Sequence, residues 1–275
     1  MNHHFLSRTT GLAGFALILC GTGSAAWAAQ YDFNAPGFVP TFGSGSLEFW
    51  NMTATGAVQY GTASSFGLPA MPGGDAGVMR FPAFSPTQGL LLKTGAAPNG
   101  GGAKINQYTM VWDLLLPQLP SYAGLFNSDD SNTTDGDFFI KGTGGIGISG
   151  TYAGTITPNK WYRIAASFDL TTSTLSKYID GTLVGTQTLS SGVDGRWSLN
   201  SANDPTRGVL LLTDDDGETG AGYINSFLFV DRAMTSAEIE ALGGPNAIGI
   251  VPEPGTTALL LAAGVVMLIW RRRPR

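Results

Sequence analysis

Between residues 160 and 170 the side chains alternate in character. Tyr162, Ile164, Ala166, Phe168 and Leu170 fall on one parity, and Trp161, Arg163, Ala165, Ser167 and Asp169 on the other. A period of two belongs to a strand, so one face of this segment is built for burial and the other is mixed. The next run, Thr174–Ile179, is separated from residues 182–189 by Asp180-Gly181 alone. A two-residue Asp-Gly loop between strand-like runs predicts a tight hairpin whose glycine tolerates positive φ. Residues 222–231 are apolar on both parities, with Ile224, Leu228 and Val230 opposite Tyr223, Phe227 and Phe229, which predicts a central strand covered on both faces. Upstream, residues 46–55, 78–81, 89–93 and 107–116 also read as strands, and the last sets Tyr108, Met110, Trp112, Leu114 and Leu116 on one core-facing side. One helix is marked, by Thr235 as N-cap, Glu238 three residues later, Met234 placed to staple onto Ile239, and Gly243 as the stop.

The two ends are of a different kind. Arg8, an apolar stretch over residues 11–20 and the small residues of Ala26-Trp27-Ala28 make a secretory signal peptide, with its helix, over residues 1–28. Leu19 precedes Cys20 where a lipidation signal needs a small residue. At the other end Pro252-Glu253-Pro254 is followed by uncharged, mostly apolar residues 256–270 and then by Arg271, Arg272, Arg273, Pro274 and Arg275. The two prolines exclude helix and strand and leave Glu253 on extended, accessible backbone. As a helix, residues 256–270 span about 22 Å, a marginal transmembrane segment, with the arginines on the cytoplasmic side. This three-part tail resembles the bacterial PEP-CTERM sorting signal. The resemblance implies recognition at Pro252, Glu253 and Pro254 by an exosortase-type processing enzyme in the membrane. It further implies export across the inner membrane of a bacterium, of Gram-negative type, and delivery to the cell surface or beyond. A permanent single-span anchor shares everything except the cut.

With the ends set aside, chemistry narrows. The one cysteine, Cys20, and both histidines, His3 and His4, lie in the signal segment. The remaining domain therefore offers no disulfide, no thiol nucleophile, no Ser-His-Asp triad and no imidazole or thiolate metal site. Five of the fifteen Lys and Arg but only one of the twenty Asp and Glu fall in the ends, so the mature charge is near −9, and nucleic acid is not an expected partner. Many of the 39 glycines and the scarcity of long helical periodicity indicate short strands and turns in one domain, residues 29–243, followed by a Gly/Pro-rich linker, residues 244–251.

Within that domain Trp161-Tyr162-Arg163-Ile164-Ala165, Phe168-Asp169, Leu175, Tyr178-Ile179-Asp180-Gly181, Gly222-Tyr223-Ile224-Asn225, Asp231-Arg232-Ala233 and Glu238-Ile239 occur in the order of a LamG-like, concanavalin A-like domain. The resemblance runs from about residue 106 to 243. It implies an all-β jelly-roll sandwich of two antiparallel sheets with one short C-terminal helix. Relatives are commonly sugar-binding or adhesive, and some are glycosidases. Asn225 stands where the family often has an acidic residue.

Two acidic clusters are the candidate metal sites: Asp129, Asp130, Asn132, Asp135 and Asp137 before one strand, and Asp214, Asp216 and their neighbours Asp215 and Glu218 after another. Flexible oxygen-rich loops suit calcium, although the spacing is not that of an EF-hand. Two solvated turns are the plainer alternative. No acid-x-acid run falls inside an expected strand, so paired carboxylates for glycoside hydrolysis are not in evidence and a non-catalytic protein is expected. Trp50, Trp161 and Trp197 are the candidate sugar platforms. The expected ligand is an exopolysaccharide or another matrix component, with a structural or protein-adhesion module as the alternative.

Overall fold

The computed structural model describes residues 28–53, 58–131 and 135–250. In chain order the described strands are β1 (Ala28–Asp32), β2 (Phe42–Gly43), β3 (Ser46–Trp50), β4 (Gln59–Thr62), β5 (Gly77–Phe81), β6 (Gly89–Lys93), β7 (Gln107–Leu115) and β8 (Tyr122–Asn127). They continue as β9 (Asp137–Lys141), β10 (Ile146–Ile148), β11 (Thr151–Ala153), β12 (Tyr162–Asp169), β13 (Thr174–Ile179), β14 (Thr182–Thr188), β15 (Val209–Leu211) and β16 (Gly222–Val230). One helix, α1 (Ser236–Leu242), follows.

The strands form two antiparallel sheets. The nine-stranded sheet runs β14-β13-β12-β7-β16-β1-β2, with β5 also paired to β16 and β4 to β5, and the seven-stranded sheet runs β11-β10-β9-β8-β15-β6-β3. The alternation of β12 does what its period requires: Tyr162, Ile164, Ala166, Phe168 and Leu170 enter the core between the sheets, while Ala165 packs into a second cluster outside. Trp112 of β7 anchors the interior, with ring centroids 6.4, 6.2 and 5.7 Å from Phe126, Phe138 and Phe227. The β13–β14 hairpin turns on Asp180 and Gly181, with φ of 50° and 79°, the paired positive values of a type I′ turn.

β16 is central, between β7 on one side and β1 and β5 on the other. Its faces differ from strict alternation. The register shifts between Ile224 and Ser226, so Ile224 joins Phe227 and Phe229 in the core, and Leu228 and Val230 face outward. A bulge inserts one residue and inverts parity beyond it. Asn225, at the shift, is buried and donates from Nδ2 to the Gly77 carbonyl at 2.8 Å, a structural bond between neighbouring strands.

The outer face of the nine-stranded sheet is itself covered. Val111, Ala165, Tyr178, Leu228 and Val230 pack under Met234, Ile239 and Ile250. The helix starts with the expected capping box between Thr235 and Glu238, and its C-cap is Gly243. Residues 244–250, read from sequence as the start of a loose tether, lie against the sheet instead. Arg163, 2% exposed, holds Asp113 with Nε and Nη2, both at 2.7 Å, while Nη1 donates to the Leu242 carbonyl and Nη2 to that of Gly249 at 3.3 Å. The Asn246 amide donates to Asp113 at 3.4 Å, Ala247 N–H to the Pro72 carbonyl at 2.8 Å, and Ile250 is buried. Glycine and proline in this stretch shape a strap over a buried ion pair.

Residues 1–27, where a signal peptide is expected, and residues 251–275, including Pro252, Glu253 and Pro254, lie outside the described residues. Among those described, no helix is long and apolar enough to cross a membrane.

Candidate functional site: an acid-walled, aromatic-floored depression

The two acidic clusters, nearly eighty positions apart in sequence, meet on the outer face of the seven-stranded sheet. An open depression of about 450 Å³ there is lined by Asp135 and Asp137 from the first cluster and by Asp214, Asp215, Asp216 and Glu218 from the second. Strand alternation explains the meeting. Phe138 and Ile140 of β9 enter the core, so Asp137, Phe139 and Lys141 project outward, and β8 sets Tyr122 opposite Lys141. The loop after β15 folds back over β8, where Gly124 N–H donates to the Glu218 carbonyl at 2.7 Å. A side chain at Gly124 would meet the Thr213 carbonyl at 2.9 Å, so the close approach needs glycine.

The floor is aromatic. Tyr122 lies edge-on to Phe139 at 5.8 Å between centroids and tilted against Tyr152 at 6.0 Å, and Lys141 Nζ stands 5.3 Å from the Tyr152 centroid. Tyr122 and Tyr152 are half-buried, exposing part of each ring.

The wall is electrostatically loaded. Asp137, with 13% of its side chain exposed, has its carboxyl pushed up to about 8, by burial first and then by Asp135 and Asp214, with Arg196 pulling the other way and Asp215 adding to the rise. Burial also raises Asp135, Asp214 and Glu218, each further raised by neighbouring carboxylates. Asp214 is partly committed, because its Oδ2 accepts from the Asp216 and Glu218 amides at 3.0 and 3.4 Å and so shapes the loop. Asp135 is 3% exposed, and its Oδ2, like Oδ1 of Asp137, is a buried oxygen with no hydrogen-bond partner among the described residues. Arg196 donates to the Asp135 carbonyl and stands 3.6 Å from Asp137.

The first cluster is not one site. Asp129 and Asp130 both pair with Arg207, and Asp129 lines a separate polar depression with Lys104, Asp194 and Arg196. Burial alone would raise Asp129, yet the Ser131 amide and hydroxyl and Arg207 hold it below the usual carboxylate range. A guanidinium already supplies the positive charge that a cation was expected to bring, so these two leave the candidate metal set. Asn132 lies outside the described residues.

Asp135, Asp137 and Asp214 fit a hard cation in donor type, and Asp135 and Asp137 each bring an oxygen without a hydrogen-bond partner among the described residues. Among the described residues, however, no three acidic side chains are already arranged about an ion. An ion would have to draw the 214–218 loop and β9 together.

Two of the three tryptophan platforms, Trp161 and Trp197, are corrected. Trp161 and Trp197 are 5% and 4% exposed. Trp161 donates from Nε1 to the Pro69 carbonyl at 2.9 Å, and Trp197 stacks on Phe168 at 6.5 Å. Both fill space that strand packing encloses. Trp50 is half-buried on β3, the far edge of the sheet from β9–β11. No acid-x-acid run falls inside a described strand, but β9 begins at Asp137, so Asp135 and Asp137 flank Gly136 at a strand entrance. Tyr122 carries no local signal in the sequence, because the run of β8 is broken by Gly124 and a register shift between Gly124 and Phe126.

Two antiparallel sheets face to face with one short helix define an all-β sandwich of jelly-roll type. Residues 118–240 match the family model described as the concanavalin A-like lectin/glucanases superfamily. The sandwich extends beyond the match at both ends, from β1 to Ile250. No protein of curated function matches the sequence. Among solved structures, domain 4 of AbnA, a GH43 extracellular arabinanase from Geobacillus stearothermophilus in complex with arabinotriose, is similar with a TM-score of 0.50 and 18% identity, over 79% of this chain and 98% of that one. Trypanosoma rangeli sialidase is similar at 0.51 and 12% identity, over 78% of this chain and 32% of that one. The binding domain of Paraclostridial Mosquitocidal Protein 1 gives 0.51 and 12%, over 78% and 51%. At these identities the likeness is one of fold.

Proposed function

We propose that this is an exported, non-catalytic glycan-binding protein that takes an extracellular polysaccharide in the depression on the seven-stranded sheet. The observation that carries the reading is the pair of partly exposed rings, Tyr122 and Tyr152, beside a wall of carboxylates on the outer side of the seven-stranded sheet. Sugar rings present apolar C–H faces to aromatic rings and hydroxyl donors to carboxylates, and this surface offers both. The arabinotriose in the similar arabinanase domain supports a saccharide as ligand. Calcium at Asp135, Asp137, Asp214 and Asp216 would offset their repulsion and order the loop. The signal segment would export the chain. The Pro252-Glu253-Pro254 tail would hold it in the membrane until an exosortase-type enzyme sorts it to the surface. A glycan array with the purified full chain, with and without calcium, tests the binding reading. Binding should fall at least about tenfold in Tyr152→Ala with the melting temperature retained. Silence on every glycan would favour a structural or protein-adhesion module.

One observation favours a second reading. Asp137 is held protonated near neutrality beside other carboxylates, as the acid of a glycoside hydrolase must be. That reading requires release of reducing ends by the native protein, abolished in Asp137→Asn.

A further inference from the structure

We propose that the depression selects glycans bearing free amino groups, such as unacetylated hexosamine units, over neutral and uronic-acid polymers. The inference rests on the glycan-binding reading and concerns what the wall, rather than the floor, recognises. Asp135, Asp137, Asp214, Asp215, Asp216 and Glu218 face the space, and the cation among its lining residues, Arg196, is already engaged on the Asp135 carbonyl and Asp137. Lys141, at the edge, is stacked over Tyr152. A uronate chain would meet like charge at the exposed Asp215 and Asp216 of the wall, and a neutral sugar would leave it uncompensated.

The independent observation is Asp135. It is 3% exposed and lines the depression, and although its carboxyl takes a hydrogen bond from the Asn127 side chain, its Oδ2 has no donor among the described residues. Buried carboxylate oxygens are rarely left without a partner, because each forgoes its hydration. A hydroxyl could supply one hydrogen bond there. A protonated amine supplies up to three, with the opposite charge, and charge-assisted bonds are the stronger kind. Tyr122 and Tyr152 would take the face of the same sugar ring while its ammonium turns to the wall.

The test is calorimetric titration of the full chain, purified in detergent, with a glucosamine hexamer, its N-acetylated counterpart and a galacturonate hexamer, at mildly acidic pH in EDTA. The amino hexamer should bind at least about tenfold tighter than the acetylated one, and the uronate not at all. Asp215→Asn/Asp216→Asn, both exposed in the loop, and Asp135→Asn should each shrink that preference towards parity. Glu240→Gln on α1, across the sandwich, should leave it intact. Added calcium should weaken the amino hexamer and spare the acetylated one. Equal or tighter binding of the acetylated hexamer overturns the inference while sparing the glycan reading. So does a preference unchanged in every wall variant, which would mark diffuse charge attraction. No binding by any oligomer overturns both.

Discussion

Asp137→Asn turns the loaded wall into a measurable quantity. The carboxyl is pushed up to about 8 in the folded protein, and in the unfolded chain it returns to about 3.9. Because the folded value is the higher, the group costs nothing below about pH 4, and stability is lost progressively as pH rises to about 8. Each unit of difference is worth about 1.4 kcal/mol, so at pH 7 the roughly three units traversed set a ceiling of about 4 kcal/mol. The neighbouring Asp215 and Asp216 are exposed, and retreat of their loop would let water in, so about half of that ceiling is expected. Asparagine keeps the shape and cannot ionise. In EDTA, Asp137→Asn should melt about 4–8 °C above the wild type at about pH 7, and together with it at about pH 4, since a domain of this size gains roughly 2–4 °C per kcal/mol. Calcium should raise the wild-type melting temperature at pH 8 and move the variant much less. Parallel melting curves across the pH range, or a variant less stable than wild type at pH 8, would refute the electrostatic account of the site.

Two other outcomes are expected. Arg163→Met strands the Asp113 carboxylate beneath the strap and should cost about 3–5 kcal/mol by chemical denaturation, with much of the loss recovered in Arg163→Met/Asp113→Asn. Mass spectrometry of the exported protein should find a chain that begins near Ala29 and lacks residues 271–275; recovery of Arg271–Arg275 on the surface form would refute processing.

Much of the sandwich could be read from period and punctuation. β6 and β13 fall where their runs place them, and the Asp180-Gly181 hairpin and the Thr235 capping box depend on contacts a few residues apart. What escaped depended on distant partners or on a broken period. β8 is interrupted by Gly124 and a bulge, and β16 changes parity at Asn225, an insertion that apolar residues on both sides conceal. The site was half legible. Its carboxylates stand out in the sequence, yet nothing local shows that Asp129 and Asp130 go to Arg207 while Asp135 and Asp137 face Asp214. Trp161 and Trp197 show the limit of residue type as evidence, since a large ring suits a core as well as a sugar, and only neighbours decide.

The strap also fixes which way the molecule looks. Ala28, where the described chain enters, packs into the same outer cluster as Ile250, where it leaves, and both lie on the covered side of the nine-stranded sheet. The depression opens on the far side of the seven-stranded sheet, with the whole double layer between. Entry and exit of the described chain thus share one side of the plate, and the acidic, aromatic surface is presented on the other, so a polymer bound there need not cross Ala28 or Ile250.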